Sequence, residues 1–240
     1  MALTPLWLAI AAAFGNLLGA WVVVRQRRAG LTAIDASLAF GAGFMLAVVL
    51  VGVMPPVLAG GSSLAPLLVL AGYLLVHLAQ HVLAPHFHFG EETHEVSAPA
   101  ATSALLGLSL HSFFDGVAIA SGFFESQALG AMLFLAVLLH KLPEGVAIGS
   151  VYLASGQSSR DALRAAGVLG VATVLGVLIT EFAEPLRQHG LAIAAGVTLY
   201  VAASNLVPEI QGRRGWVLPA AFFGGALAVL LLNLLAGQAG

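Results

Sequence analysis

The chain has 240 residues, of which 60% are hydrophobic and only 8% are charged, whereas a soluble domain carries about a quarter charged residues. So few charges cannot solvate a protein surface, and this composition excludes a water-soluble globular domain. The sequence contains no cysteine, which excludes disulfides and thiolate metal sites, and the net charge of −2 comes without any basic stripe of the kind that binds nucleic acid.

In chain order, the sequence predicts eight transmembrane helices in a single all-α domain covering residues 1–240. A membrane-spanning helix needs about 20 apolar residues, and charged residues, Pro and Gly separate stretches of this order. The first stretch lacks a positively charged start, so we expect a retained span rather than a cleaved signal peptide. The predicted spans are residues 5–24, 37–53, 65–83, 102–122, 128–152, 162–179, 191–207 and 215–235.

Spans two and three have to be separated by turn residues alone. No charge occurs between Ala36 and Gln80, a stretch too long for one span. Pro55 and Pro56, followed by the Gly-Gly-Ser-Ser sequence at residues 60–63, are expected to form the turn that divides it.

The basic residues predict the orientation. If eight spans alternate in direction, seven of the nine Lys and Arg residues fall on one side, while Arg187 lies on the other side and Lys141 lies within a span. The positive-inside rule makes the crowded side cytoplasmic, so both termini are expected outside. Removing any one span before the last would scatter these charges over both sides. The seven residues are Arg25, Arg27, Arg28, Arg160, Arg164, Arg213 and Arg214.

Spans four and five carry related motifs, HSFFDGVAIA from His111 and HKLPEGVAIG from His140. The two copies lie on antiparallel helices, which predicts an inverted repeat with a pseudo-two-fold axis in the membrane plane. In each copy a histidine precedes a carboxylate by four residues, so both side chains share one helix face. Ionisable groups within a membrane are costly and therefore mark functional sites.

These motifs predict a metal site formed by His111, Asp115, His140 and Glu144. Two imidazoles and two carboxylates around one point suit four-coordinate Zn²⁺. Nitrogen and oxygen ligands also accept Fe²⁺, Mn²⁺, Co²⁺ or Cd²⁺. The simpler interpretation is that two His–acid hydrogen bonds hold the bundle together. The duplication of the motif on adjacent spans favours the metal site.

Small residues and a proline lie beside the predicted ligands. Pro143 removes a backbone donor and is expected to loosen its helix, while Gly116 and Gly145 allow neighbouring helices to approach closely. A site of this kind can open alternately to either side. Gly15 and Gly19 on span one have the spacing of close helix pairs, which fits packing within one bundle or a homodimer.

At these residues the sequence resembles the ZIP (ZRT/IRT-like) family of divalent metal transporters, specifically its bacterial GufA-like branch, and the HKLPEG stretch is highly specific. The resemblance covers the whole chain. It implies transport of divalent metal, with zinc as the first expectation, into the cytoplasm through a site on spans four and five. It also implies relative movement of two helix bundles, a location in the bacterial inner membrane, and metal ions and the lipid bilayer as partners.

The resemblance also implies roles for residues around the site. Family members often hold a second metal through the residue after each motif histidine and a carboxylate on span six; here the following residues are Ser112 and Lys141. Because an ammonium group opposes a nearby cation, we expect a single metal, with Lys141 in the place of the second. Lys141 is expected to pair with Glu181 or Glu184; these acids are alternatively secondary metal ligands or span-edge residues.

Two further groups are expected on the cytoplasmic side. By resemblance to an acid-bearing stretch in relatives, Ser204, Asn205 and Glu209 are expected to line an exit path, and His77 is either a pathway residue or a core histidine. A loop rich in His and Glu, at about residues 85–100, is expected to bind metal as a sink or sensor, or else to be an ordinary solvated loop. Its candidate ligands are His81, His86, His88 and His94.

The alternative function from another class is an intramembrane metal-dependent hydrolase, in which the metal activates a water molecule. Such an enzyme needs a general base beside the metal and an open coordination position. The sequence has no H-E-x-x-H motif, and a repeat of the ligand motif is natural for a transporter but unnecessary for a hydrolase. We therefore expect a transporter rather than an enzyme.

Overall fold

The computed structural model describes residues 3–25, 31–60, 62–79, 98–208 and 215–237, which form helices and short turns, with no strand among them. We label the α-helices in chain order. They are α1 Leu3–Arg25, α2 Leu31–Ala47, α3 Met54–Ala59, α4 Ala65–Leu78, α5 Ala98–Glu125, α6 Gln127–Ala154, α7 Ser159–Phe182, α8 Glu184–Tyr200 and α9 Val217–Gly237.

Seven helical stretches of the described chain are long and apolar enough to cross a membrane, and α4 is a shorter apolar helix of 14 residues. Large apolar side chains such as Trp7, Phe14, Leu67 and Phe223 are exposed on the outside of the bundle, as expected of a surface that faces lipid. The chain is a multi-pass membrane protein. Residues 80–97, which follow α4, lie outside the described residues, so the count of eight spans stays a prediction.

The prediction that Pro55 and Pro56 take part in the turn after span two is wrong. A π-helical turn over Val48–Val53 joins α2 to α3, and Met54 N–H donates to Val49 O, five residues back. Both prolines then fall at the start of α3, where a missing N–H is tolerated. The chain leaves the helix only after Ala59.

The helices pack in two groups. The first group contains α1, α5, α6 and α7, and the second contains α2, α4, α8 and α9. The groups meet where α2 packs on α6 and where α5 packs on α8. The motif helices α5 and α6 therefore lie side by side within the first group and also form its boundary with the second.

Reciprocal glycine contacts bring α1 and α6 together. A Cβ atom added to Gly145 would lie 2.1 Å from Asn16 O, and one added to Gly19 would lie 2.1 Å from Leu142 O. Only glycine permits backbones this close. The small-residue face of α1 thus packs within the chain, and it offers no support for a homodimer.

The same arrangement joins α5 to α7. A Cβ atom added to Gly116 would lie 2.0 Å from Thr173 O, and one added to Gly176 would lie 2.0 Å from Phe113 O. The motif glycines therefore pack α6 against α1 and α5 against α7, as sequence reasoning expected of small residues beside the site. The second group has corresponding contacts between α2 and α9, at Gly43 and Gly225, and between α4 and α8, at Gly72 and Gly196.

Candidate metal centre

The predicted ligands are carried by two helices that a single residue connects. Ser126 lies between α5 and α6 and caps α6 by accepting a hydrogen bond from Leu129 N–H through its hydroxyl. This connection turns the chain back on itself and brings the two motifs to one level. His111, Asp115 and His140 are buried there, and one nitrogen or oxygen atom from each lies within 4.8 Å of the other two.

The Asp115 carboxylate is the centre of this cluster. Its Oδ2 atom lies 3.4 Å from His111 Nε2 and 3.2 Å from His140 Nε2. The same oxygen lies 2.8 Å from Lys141 Nζ. One carboxylate oxygen thus faces two imidazoles and one ammonium group, two of them from the opposite helix. We call His111, Asp115 and His140 the His–Asp–His cluster.

The orientation of His140 is set by a backbone carbonyl. Its Nδ1 atom lies 2.8 Å from Ala136 O, and because a carbonyl only accepts, Nδ1 carries the hydrogen. In a neutral ring Nε2 is then an acceptor, and it faces a second acceptor, Asp115 Oδ2. A proton or a cation between these two atoms satisfies both of them. Metal-binding histidines are oriented in this way, with the second ring nitrogen donating to a carbonyl.

His111 is held less tightly than His140. Its Nδ1 atom is buried and has no hydrogen-bond partner within the described structure. The two imidazole rings have centroids 5.3 Å apart. No backbone group of the described residues therefore fixes the tautomer of His111.

Glu144 occupies a neighbouring position and not the cluster itself. Its Oε1 atom accepts a hydrogen bond from Ser112 Oγ at 2.6 Å, and its Oε2 atom accepts one from Lys141 Nζ at 2.6 Å. Lys141 Nζ also donates to Ser112 Oγ at 2.8 Å. The structure thus brings three of the four predicted ligands together, and both carboxylate oxygens of Glu144 are engaged with Ser112 and Lys141.

The prediction that Lys141 pairs with Glu181 or Glu184 is wrong, because its acidic partners are Asp115 and Glu144. The sequence interpretation placed both acids on one helix running on to Pro185. Instead, α7 ends at Phe182 and Ala183 is extended. Proline disfavours a continuous helix before it, so Pro185 lies in the first turn of a new helix, α8. Glu184 is exposed and pairs with Arg187, and Glu181 is half-buried.

Asn16 of α1 is a site residue that sequence reasoning missed. It is completely buried. With its amide nitrogen turned towards α6, it donates to Lys141 O at 2.6 Å and to Glu144 Oε2 at 3.3 Å. The signal in the sequence is a lone asparagine within an otherwise apolar first span, since a buried amide needs partners of this kind.

The residues predicted for an exit path lie on a different helix pair. Ser204 and Asn205 are half-buried in a π-helical turn, Val201–Leu206, that follows α8. Ser204 Oγ and the hydroxyl of Tyr73 on α4 are hydrogen-bonded at 2.9 Å, and the exposed His77 packs edge-on against Tyr200. The predicted residues Glu209, His81, His86, His88 and His94 lie outside the described residues.

Comparison with known proteins gives one family. A family model described as ZIP zinc transporter matches residues 90–233. The chain is 31% identical over 137 residues to human zinc transporter ZIP6, an alignment that covers 52% of this chain and 18% of ZIP6. It is 32% identical over 139 residues to human zinc transporter ZIP4, covering 54% of this chain and 22% of ZIP4.

A third relative matches over a longer region. The chain is 26% identical over 220 residues to zinc transporter YKE4 of Saccharomyces cerevisiae, covering 78% of this chain and 63% of YKE4. The aligned regions thus span about a fifth of the human relatives and somewhat under two thirds of the yeast one. The family match includes both motif helices and the whole His–Asp–His cluster. This chain belongs to the ZIP zinc transporter family.

Proposed function

We propose that this protein carries a divalent transition metal, with zinc as its first substrate, across the bacterial inner membrane into the cytoplasm. The observation that carries the proposal is the buried His–Asp–His cluster, in which Asp115 Oδ2 faces the Nε2 atoms of two histidines within an apolar bundle. Membership in the ZIP family supports this function. The relatives described above are named as zinc transporters.

The proposed ligands are His111 Nε2, Asp115 Oδ2 and His140 Nε2. Three protein ligands leave a fourth position of a tetrahedral Zn²⁺ ion for water, or for Glu144 once it releases Lys141. An incomplete protein shell suits a substrate that has to bind and leave. Nitrogen and oxygen ligands discriminate weakly among divalent metals, so the proposal includes Fe²⁺, Mn²⁺, Co²⁺ and Cd²⁺, within the GufA-like branch.

A single metal fits the charges around the cluster. Asp115 and Glu144 contribute two negative charges, and the Lys141 ammonium, which contacts both, contributes one positive charge. One divalent cation therefore changes the local net charge from −1 to +1 if the histidines are neutral. A second divalent cation would raise it to +3 in a region of low dielectric constant, where like charges repel strongly. The Lys141 ammonium thus supplies the positive charge that a second metal ion would otherwise supply.

The two helix groups provide the elements for movement. The reciprocal glycine contacts hold α6 to α1 and α5 to α7 in equivalent ways, which supports an inverted repeat. When α4 is counted as a span, the proposed number of spans is eight. The His–Asp–His cluster lies in the first group next to α2, because a Cβ atom added to Gly41 would lie 3.9 Å from His140 Cβ. Displacement of the two helix groups relative to each other would therefore uncover the side of the cluster that faces α2.

The orientation and the exit side follow the same proposal. The excess of basic residues on one side supports external termini. On the cytoplasmic side, the His-rich loop then receives metal as a sink or sensor. The residues proposed for the exit path and the loop are His77, Ser204, Asn205 and Glu209, with His81, His86, His88 and His94 in the loop.

The hydrolase alternative needs a free general base beside the metal. The carboxylate next to the cluster that could serve, Glu144, is bound to Lys141 and Ser112. No contact of the described residues favours hydrolysis over transport.

Uptake into proteoliposomes tests the proposed function. We expect the unsubstituted protein to move Zn²⁺, and His111→Ala and His140→Ala to abolish the flux while the protein keeps its elution volume and melting temperature. Asp161→Asn, at the exposed start of α7, is the control and should transport normally. Unchanged flux in both histidine variants would refute the site, and no flux of any of the five metals by the unsubstituted protein would refute transport.

A further inference from the structure

A cavity of about 280 Å³ lies between the two helix groups, apart from the His–Asp–His cluster. The end of α5 forms one wall, with Ser121 and Glu125. The turn before α4 and the beginning of α8 form the other wall, with Ser62 and His189. The cavity therefore lies on the boundary across which the groups are proposed to move.

The position of the cavity along α5 relates it to the metal cluster. Ser121 lies six residues beyond Asp115, which is about 9 Å along a helix axis. The cavity is thus nearer than the cluster to the membrane face where α5 turns into α6. In the proposed orientation this face is the outer one, so a metal ion arriving from outside reaches the cavity first.

The cavity has the size and the donor groups for a hydrated divalent cation. A water molecule needs about 10–15 Å³ of a cavity volume of this kind, so six water molecules need roughly 60–90 Å³, which the cavity accommodates. A carboxylate from Glu125 and an imidazole from His189 are ligand types that divalent transition metals accept. Glu125 is exposed and forms no ion pair with another described residue, so its charge is available to a cation.

Arg187 lines the same cavity, and its charge acts against a cation. Its guanidinium lies 4.8 Å from the centre of the Phe124 ring and 3.6 Å from Glu184 Oε2. These contacts hold it against the wall and balance part of its charge. The cavity thus contains an acidic group and a basic group whose removal should change cation binding in opposite directions.

We propose that this cavity is the outer vestibule of the transport route, where Glu125 and His189 capture a hydrated divalent metal ion before it reaches the His–Asp–His cluster. The inference rests on the proposed transport function and adds a capture site to it. Charge at the mouth of a low-dielectric cleft raises the local concentration of its counter-ion. The vestibule therefore acts on the apparent affinity and leaves the rate of movement unchanged.

Uptake kinetics provide the first test. We expect Glu125→Gln to raise the KM for Zn²⁺ by about fivefold with little change in maximal rate, because the lost attraction at hydrated-ion distance is a small Coulomb energy. His189→Gln should raise KM in the same direction, and Arg187→Gln should lower it. Asp161→Asn is the matched acidic control at another exposed position. Unchanged KM in Glu125→Gln, or equal effects of Glu125→Gln and Arg187→Gln, overturns the vestibule.

Thiol labelling provides a second test that does not depend on flux. The chain contains no cysteine, so Ser62→Cys introduces a single reactive thiol into the cavity wall. We expect a membrane-impermeant maleimide to label it from the outside, and Zn²⁺ to slow labelling less when Glu125→Gln is also present. The inference is overturned if the thiol is labelled only from the cytoplasmic side. It is also overturned if Zn²⁺ slows labelling equally with and without Glu125→Gln. Absence of flux in the unsubstituted protein overturns transport, whereas normal flux with unchanged KM overturns the vestibule alone.

Discussion

Lys141 Nζ lies 2.8 Å from Asp115 Oδ2, the same oxygen atom that faces both cluster histidines. A fixed positive charge is therefore in direct contact with the proposed metal ligand. The ammonium group is completely buried and also contacts Glu144. Metal binding and the Lys141 contacts are thus coupled through one carboxylate, and the first two predictions follow from this relationship.

The two acids of the motifs are expected to differ in function. Asp115→Asn should lower zinc affinity by more than about 100-fold, since removal of an outer-shell partner alone lowers affinity by 10–100-fold. Glu144→Gln should stay within about tenfold of the unsubstituted protein, because its amide oxygen still accepts a hydrogen bond from Lys141. Competition with a zinc-chelating dye measures the zinc affinity of both variants. The measurement is made in a protein in which the loop histidines His81, His86, His88 and His94 are changed to Gln. Equal losses in the two variants would show that Glu144 is an equivalent ligand.

Removal of Lys141 should change the number of bound metals. Lys141→Met leaves Asp115 and Glu144 without their ammonium partner, and breaking a buried ion pair in this way destabilises a protein by about 3–5 kcal/mol. We expect a lower melting temperature without metal, and a rise from one to two zinc ions per chain in the same loop-substituted background. Metal analysis after gel filtration measures the ratio. Two ions in the protein that retains Lys141 would contradict the single-metal proposal.

Substitution of a motif glycine should destabilise the first helix group. In Gly145→Ala the new methyl group would lie 2.1 Å from Asn16 O, so α1 and α6 have to separate, and overpacking of this kind destabilises by about 1–3 kcal/mol. Gly107→Ala is the matched control on α5, because nothing lies within 4 Å of its added Cβ atom. That change should be neutral or stabilising by up to about 1 kcal/mol. Thermal unfolding in detergent compares the melting temperatures of the two variants. Equal melting temperatures would contradict the close packing of α1 against α6.

Asn16 is expected to support the polar cluster from α1. Asn16→Asp replaces the donating amide with an acceptor beside Glu144 Oε2 and Lys141 O, and buried acceptors that face each other cost about 1–3 kcal/mol, more when charged. We expect reduced stability and reduced zinc uptake. Asn233→Asp, at a half-buried asparagine on α9, is the comparison. An Asn16→Asp protein as stable as this control would show that the two hydrogen bonds contribute little.

Much of the fold could be predicted because a membrane restricts the alternatives. A lipid-facing chain has to satisfy its backbone within helices, so apolar length alone located the helices of the described residues to within a few positions at most ends. The break at the two prolines was misplaced because a π-helical turn accommodates Pro55 and Pro56. Apolar patterning carries no information on such a local change in hydrogen bonding.

For the site, spacing along one helix predicted that His111 and Asp115 share a face, as do His140 and Glu144. These are local relationships, which the 3.6-residue period of a helix determines wherever the helix lies. The pairing of Lys141 with Asp115, the separation of Glu144 from the cluster and the contact from Asn16 are of another kind. They depend on how the helices are rotated and how far apart they lie. Glycine contacts between distant segments determine both quantities, so only the folded packing of α1, α5 and α6 determines these contacts.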